Sequence, residues 1–240
     1  MAVVPYKDTA ENKKSQVAHM FNSIAGKYDF LNHFLSAGVD IYWRKKAIDL
    51  VAKTKPEYIL DIATGTGDFA IEALRIKPKK IVGVDISEGM LAVGRQKLDK
   101  KQISHLIELK TGDSENLEFE VNTFDVVMAA FGVRNFENLE KGLSEMFRVL
   151  KPGGQILILE FSKPKAFPFK QSYNFYFKRI LPVFGKLISK DRAAYTYLPE
   201  SVQAFPDGPD FINILKQVGF KSTTWHSLTF GISSIYVGTK

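Results

Sequence analysis

The chain of 240 residues contains no cysteine. Disulfides, thiolate nucleophiles and cysteine-ligated zinc are therefore excluded. The four histidines, His19, His33, His105 and His226, are scattered and form no HxxxH pair, so no metal is expected. Long apolar runs are missing too: Val126–Val133 is far too short to span a bilayer. Met1 to Lys14 lacks the apolar centre of a secretion signal, and Asp8 and Glu11 do not suit a transit peptide. A cytoplasmic location is the expectation. What remains is ordinary: 45% hydrophobic and 25% charged residues, enough for one large α/β domain over residues 1–240. The net charge of +7 suits nucleic acid, an anionic membrane surface, or neither, and its distribution decides.

The most informative segment is Tyr58-Ile59-Leu60-Asp61-Ile62-Ala63-Thr64-Gly65-Thr66-Gly67-Asp68, followed by Ile81-Val82-Gly83-Val84-Asp85. It reads as strand, glycine loop, helix and strand, with an acid closing each strand. Gly65 and Gly67 let a ligand approach the backbone, and Asp85 can accept two hydrogen bonds from a ribose diol. Gly65-Thr66-Gly67-Asp68-Phe69-Ala70 fits the dinucleotide fingerprint, so NAD competes for this site. Asp61 and Asp68 weigh against it. A pyrophosphate needs the positive end of a helix, and two carboxylates would repel it. They suit a ligand with cationic groups, such as the ammonium and sulfonium of S-adenosyl-L-methionine. Taken alone, Asp68 also fits a helix first-turn acid and Asp61 a strand-end turn residue.

Along the chain, residues 10 to 56 read as a helical cap, with Val17, Met20, Phe21 and Ile24 at helical spacing. Strands are expected at Tyr58–Ile62, Lys80–Val84, Leu106–Lys110, Phe124–Ala129 and Gln155–Phe161. Helices are expected at Asp68–Ile76, from Ser87 to Leu98, and from about Leu139 to Leu150. The alternation predicts a doubly wound, mainly parallel sheet, Rossmann-like in class. A helix from Asp210 to Val218 precedes two strands, Lys221–Leu228 and Ile232–Gly238. As an antiparallel hairpin they would put one reversed strand at the sheet edge, a feature expected of S-adenosylmethionine-dependent methyltransferases.

Between the fifth strand and the last helix lies an insert, residues 163 to 206. From Lys163 to Lys190 it has no acid. It carries Lys163, Lys165, Lys170, Lys178, Arg179, Lys186 and Lys190, interleaved with Phe167, Phe169, Tyr173, Phe175, Tyr176, Phe177 and Phe184. That mixture suits an anionic membrane surface or single-stranded nucleic acid. It equally suits a solvated lid whose aromatics pack inward.

Further motifs are more specific. Tyr28-Asp29-Phe30-Leu31-Asn32 runs through Leu35-Ser36 to Trp43; Phe131-Gly132-Val133-Arg134-Asn135 follows the fourth strand; and Arg148-Val149-Leu150-Lys151-Pro152-Gly153-Gly154 leads to Leu159-Glu160-Phe161-Ser162-Lys163-Pro164. With Tyr195-Thr196-Tyr197-Leu198-Pro199-Glu200-Ser201 and Phe205-Pro206, the chain resembles the ubiquinone/menaquinone biosynthesis methyltransferase family from about Val17 to Gly238. It departs from the family at Leu31 (usually methionine), Asp40 (usually histidine, so no role is assigned there) and Ala130 (often serine). The resemblance implies class I S-adenosyl-L-methionine-dependent C-methylation of a polyprenylated quinol ring. Demethylmenaquinol is the favoured substrate, since no transit segment points to a bacterial protein peripheral at the inner face of its membrane. The alternative is 2-polyprenyl-6-methoxy-1,4-benzoquinol.

By the resemblance, Thr66, Asp85, Asp113 and Ser114 contact the cofactor, with backbone contact from Ala130. Asp61, Gly65 and Gly67 complete that set. Without the family, Asp113 reads as an Asx-turn former. Arg134 is the expected stabiliser of an ionised quinol oxygen, with Asn135 orienting it or holding a ring oxygen. Tyr28 and Asp29 are expected to close the site, and Tyr195 and Tyr197 to line the quinol channel. The partners expected are the quinol and a transient anionic membrane surface, without nucleic acid; a homo-oligomer is left open. Rivals are an NAD-dependent oxidoreductase, an RNA methyltransferase, and a non-catalytic binder keeping the fold. The RNA reading lacks an Asn/Asp-Pro-Pro-Tyr loop where Ala129-Ala130-Phe131-Gly132 stands.

Overall fold

The computed structural model describes residues 3–36, 38–175 and 192–240. Helices α1 (Lys13–Ile24), α2 (Tyr28–Leu35) and α3 (Val39–Val51) precede the sheet. Then β1 (Tyr58–Ile62), α4 (Asp68–Ala73), β2 (Lys80–Asp85), α5 (Glu88–Lys100), β3 (Ile107–Thr111), β4 (Phe124–Ala130), α6 (Leu139–Val149) and β5 (Leu150–Phe161) alternate. The chain continues through α7 (Phe169–Phe175), the helices Arg192–Ala204 and Pro209–Val218, and strands β6 (Lys221–Leu228) and β7 (Ser233–Thr239). Helix caps follow local chemistry. Asn12 accepts from Ser15 N, Ser87 from Met90 N and Asn138 from Lys141 N. The helix Pro209–Val218 starts on a proline and stops at Gly219, whose φ is 119°.

The sheet order is β3-β2-β1-β4-β5-β7-β6. The first five strands are parallel, and β7 runs antiparallel to both neighbours. The expected reversed strand is therefore present but does not lie at the edge. It fills the place between β5 and β6, because the crossover through Pro209–Val218 sets β6 down one strand further out. Helix α6 also ends one residue earlier than expected. Leu150 turns extended and opens β5, with a register shift before Val126.

Alternation along the strands divides the core. Val126 and Met128 face α3, α4 and α5, while Val127 and Ala129 face α6 and the helix Pro209–Val218. Ile156 to Leu159 are fully buried, as a strand covered on both faces requires. A third cluster joins Val17 and Met20 of α1 to Ala194 and Tyr197. The N-terminal helices and the later part of the insert thus meet. The strand order reverses between β1 and β4, so a crevice opens beyond their carboxyl ends.

Candidate active site

The cleft at this switch point spans about 650 Å³ with the open solvent at its mouth included. Its floor is the turn after β1 and its far wall is the turn after β4. Both turns hold non-glycine residues in left-handed backbone, Ala63 at φ 52° and Phe131 at φ 58°. Such conformations cost about 1–3 kcal/mol each and persist where the surroundings fix them. The turns also touch: a Cβ on Gly132 would lie 2.5 Å from that of Ala63. Only glycine permits this approach.

Asp85 closes β2 at the cleft. Its Oδ2 accepts from Gly65 N at 2.8 Å and its Oδ1 from Ser87 N at 2.8 Å. Burial raises its pKa, opposed by these backbone bonds. Each oxygen keeps a lone pair for a ribose hydroxyl. Gly65, at φ 57°, brings its backbone to the cleft wall. Asp61 lies deeper, 1% exposed. One oxygen accepts from Thr64 Oγ1 at 2.6 Å, while Oδ1 has no partner among the described residues. Burial, helped by the charge of Asp85, pushes its pKa up to about 7. Asp61 does not line the cleft, but a buried carboxylate with an orphaned oxygen close to Asp85 favours positive charge there. It does not fit a pyrophosphate.

Other expected cofactor residues are placed differently. Asp68 faces away from the cleft, paired with Lys97 Nζ at 2.6 Å and near His33 and Arg44. Its charge is consumed inside the protein, so the expectation that it brackets the ligand is corrected. Thr66 is 2% exposed, and its hydroxyl donates to Asp29 at 2.5 Å; neither side chain reaches the wall. Gly67, at φ 82°, opens α4 behind the wall. Asp29 does not close the site but ties α2 to the glycine loop, also through Lys97 at 2.6 Å. Asp40 is buried as well. Burial raises it, but the hydroxyl of Ser36, then Arg44 and His33, hold it below the usual range.

Asp113, Ser114 and Ala130 line the cleft. Asp113 is both an Asx-turn former, accepting from Glu115 N at 2.9 Å, and the partner of Lys14 at 2.7 Å. Lys14, Val17 and Phe21 of α1 form the cleft's cover, which sequence reading missed as site residues. Their only signal was the apolar stripe of α1. Lys13 beside them donates to the carbonyls of Arg134 (3.1 Å) and Phe136 (2.8 Å). Burial, with the nearby charge of Arg134, lowers its pKa.

Tyr28, Phe131 and Asn135 also line the wall, and Asn135 Oδ1 is buried without a partner among the described residues. Arg134 lies behind them. Its Nη1 donates to the carbonyl of Phe131 and, at 2.8 Å, to Glu160, which is fully buried. Its guanidinium packs over Phe161, and Nε is buried without a partner among the described residues. Glu160 was not anticipated. Burial raises its carboxyl above the usual range, opposed by Arg134 and by the amide of Phe161. Tyr197 is 2% exposed and off the cleft wall, with a hydroxyl that has no partner among the described residues and that burial pushes up to about 12. The side chain of Tyr195 lies outside the described residues.

The profile of the ubiE/COQ5 methyltransferase family matches residues 8–240. The chain is 48% identical to a demethylmenaquinone methyltransferase of Bacteroides fragilis, over 99% of this chain and 97% of that one. A demethylmenaquinone methyltransferase of Porphyromonas gingivalis is 45% identical, with 99% and 98% covered. A ubiquinone/menaquinone biosynthesis C-methyltransferase of Geobacter sulfurreducens is 47% identical, with 95% and 90% covered. Among solved structures, an S-adenosylmethionine-dependent methyltransferase of Thermotoga maritima superposes with TM-score 0.65 at 18% identity, covering 92% and 98%. The [4+2]-cyclase SpnF does so with TM-score 0.68 at 16%, covering 97% of each chain. These two likenesses establish the fold alone, and the second shows that the fold does not fix the reaction. Profile, identity over the full length and the charge logic of the cleft agree: the chain belongs to the ubiE/COQ5 methyltransferase family and is a methyltransferase with S-adenosyl-L-methionine as its cofactor.

Proposed function

We propose that the protein C-methylates the ring of a polyprenylated quinol, with demethylmenaquinol as substrate, in menaquinone biosynthesis. The observation that carries this reading is the aromatic wall continuing from the cleft. Phe131 lies 4.6 Å from Phe161, and Trp43 lies 6.0 Å from Phe131. A flat ring fits beside such a wall. The names of the Bacteroides and Porphyromonas relatives favour the naphthoquinol, while the Geobacter relative's name keeps the methoxybenzoquinol as the second reading.

The cofactor, when bound, supplies a methyl group on a sulfonium for in-line displacement. Asp85 would hold its ribose and Gly65, Asp113, Ser114 and Ala130 would bound its adenosine, while Asp61, buried off the cleft wall, would act on its positive charge only at a distance. On the other side, Asn135 Oδ1 accepts from a quinol hydroxyl and Tyr28 bounds the pocket. Arg134, behind this wall, would favour the ionised oxygen through its charge rather than by contact. A phenol near pKa ~10 needs such a cation to ionise at neutral pH. The new bond joins the methyl carbon to the ring carbon beside that oxygen; the ring proton then leaves to solvent and aromaticity returns. Glu160 keeps the guanidinium in place, at the cost of part of its charge. Tyr197 and Tyr195 belong to the insert that closes over the quinol.

The substrate's tail stays in the bilayer, because each CH₂ moved into water costs about 0.8 kcal/mol. The enzyme meets it at an anionic membrane surface, from the cytoplasmic side. No described helix is long and apolar enough to cross a membrane. Of the expected docking segment, Lys178, Arg179, Lys186 and Lys190 lie outside the described residues. Incubation with labelled methyl donor and each quinol tests the function. Label in the naphthoquinol is the expected result; label in neither quinol overturns the reading. Arg134→Ala should lower turnover by more than about tenfold, roughly 1.4 kcal/mol of barrier, with cofactor affinity retained. A smaller loss removes Arg134 from that role.

A further inference from the structure

We infer that the tip of the β6–β7 hairpin, Thr229-Phe230-Gly231, with Phe167 and Phe169 beside it, is a wedge that enters an anionic bilayer and seats the mouth of the cleft on it. The inference deepens the quinol reading and rests on it for its purpose.

The backbone of the tip is unusual for its sequence. Thr229, Phe230 and Gly231 follow one another with φ of 45°, 57° and 91°. Tight hairpins that need left-handed residues normally take asparagine and glycine. A β-branched threonine and a phenylalanine are poor choices for the turn itself. The phenylalanine is also poorly buried: Phe230 is 66% exposed and Phe167 80%. Single exposed rings are common, but Phe230 is paired with another ring, and Phe167 is close to that ring in the chain. Phe230 stacks on Phe169 with centroids 3.8 Å apart and planes 4° from parallel, and Phe167 stands two residues before Phe169. Strained, water-exposed aromatics are unfavourable for folding, and a partner that takes them up accounts for their presence.

Position and charge identify that partner. Ser233 pairs with Phe161, so the tip lies at the carboxyl end of β5, the sheet edge that carries the cleft. Trp43 Nε1 donates to Thr229 Oγ1 at 2.7 Å, and the same indole adjoins Phe131 and Phe161. An aromatic track therefore leads from the cleft wall to the tip, matching an apolar tail that leaves the site for the bilayer. Lys165 and Lys170 are exposed and have no acidic partner among the described residues. Cations flanking aromatic rings suit anionic headgroups over a hydrocarbon layer.

Phe230→Asn tests the wedge, because asparagine accepts the left-handed backbone and should leave thermal stability unchanged or raised. Binding to phosphatidylglycerol-containing vesicles, measured without quinol, should weaken about tenfold, or about 1.4 kcal/mol. Turnover of vesicle-embedded long-tailed quinol should fall with it, while turnover of a short-tailed, water-dispersed quinol stays unchanged. Phe230→Trp should restore vesicle binding. Unchanged vesicle binding by Phe230→Asn overturns the wedge, even if both quinols are methylated. A change in oligomeric state with vesicle binding intact also overturns it, in favour of a second copy of the chain on this face. If the wild type methylates neither quinol, the substrate reading fails, while the vesicle measurement still decides the wedge.

Discussion

On the proposed cofactor side of the cleft, the carboxylate of Asp85 is held by the backbone; on the proposed substrate side, polar groups are held by one another. Asp85 takes its hydrogen bonds from backbone amides, Gly65 N and Ser87 N among them, within one βαβ unit. Arg134 and Glu160 come from different elements and are fixed by their mutual pair and by Phe131 and Phe161. The first arrangement survives a side-chain change nearby. The second collapses if one member is lost, because the other is then a buried unpaired charge.

Glu160→Ala should break that contrast most sharply. It leaves the Arg134 guanidinium buried and unpaired, and chemical denaturation should show about 3–5 kcal/mol lost. A loss within the range of a surface substitution would mean that the substrate side is looser than the pair implies. Asp85→Ala is the matching test on the other side. Its amide partners can turn to water, so folding should change little. Cofactor affinity by calorimetry should fall about a hundredfold, as loss of two hydrogen bonds to a charged group predicts.

Asp61 sharpens the comparison through pH. Its folded pKa of about 7 lies above the ordinary 3.8. The unfolded chain gives up this proton first, so without cofactor the group's contribution to stability is fully present below the ordinary value and is lost as pH rises through the folded one. A cofactor cation favours the ionised form. Cofactor binding should therefore tighten as pH rises, by up to about tenfold per unit below the folded pKa. Asp61→Asn should flatten both dependences; an unaltered binding profile would detach Asp61 from the cofactor. The smallest effect is expected at Thr66→Val. Its hydroxyl serves Asp29, so stability should fall by about 1 kcal/mol while cofactor affinity changes by less than about threefold. A larger affinity loss would return Thr66 to the cleft.

Much of the cofactor side was legible in the sequence because its determinants are contiguous. Strand, Gly65-Thr66-Gly67, helix and Asp85 follow within one unit, and their order in space repeats their order in the chain. Asp68 shows the limit of that logic. Its place in the loop suggested a ligand, but its direction depended on Lys97, Arg44 and His33, which three other helices supply. The last two strands were legible as a hairpin, yet the insertion of β7 between β5 and β6 was not. Strand order depends on crossover geometry, which the hydrophobic pattern of either strand does not encode.

The sequence by itself determined the parallel α/β unit, the carboxylate at the end of β2 and the absence of thiol chemistry, since each follows from residue type and local spacing. Tertiary structure alone decided that Arg134 meets Glu160 rather than solvent, that Lys14 covers the cleft beside Asp113, and that Phe230 stands exposed on a left-handed turn anchored by Trp43. Those outcomes depend on groups far apart in the chain, brought together because burying apolar surface on both faces of one twisted sheet leaves their elements no other way to pack.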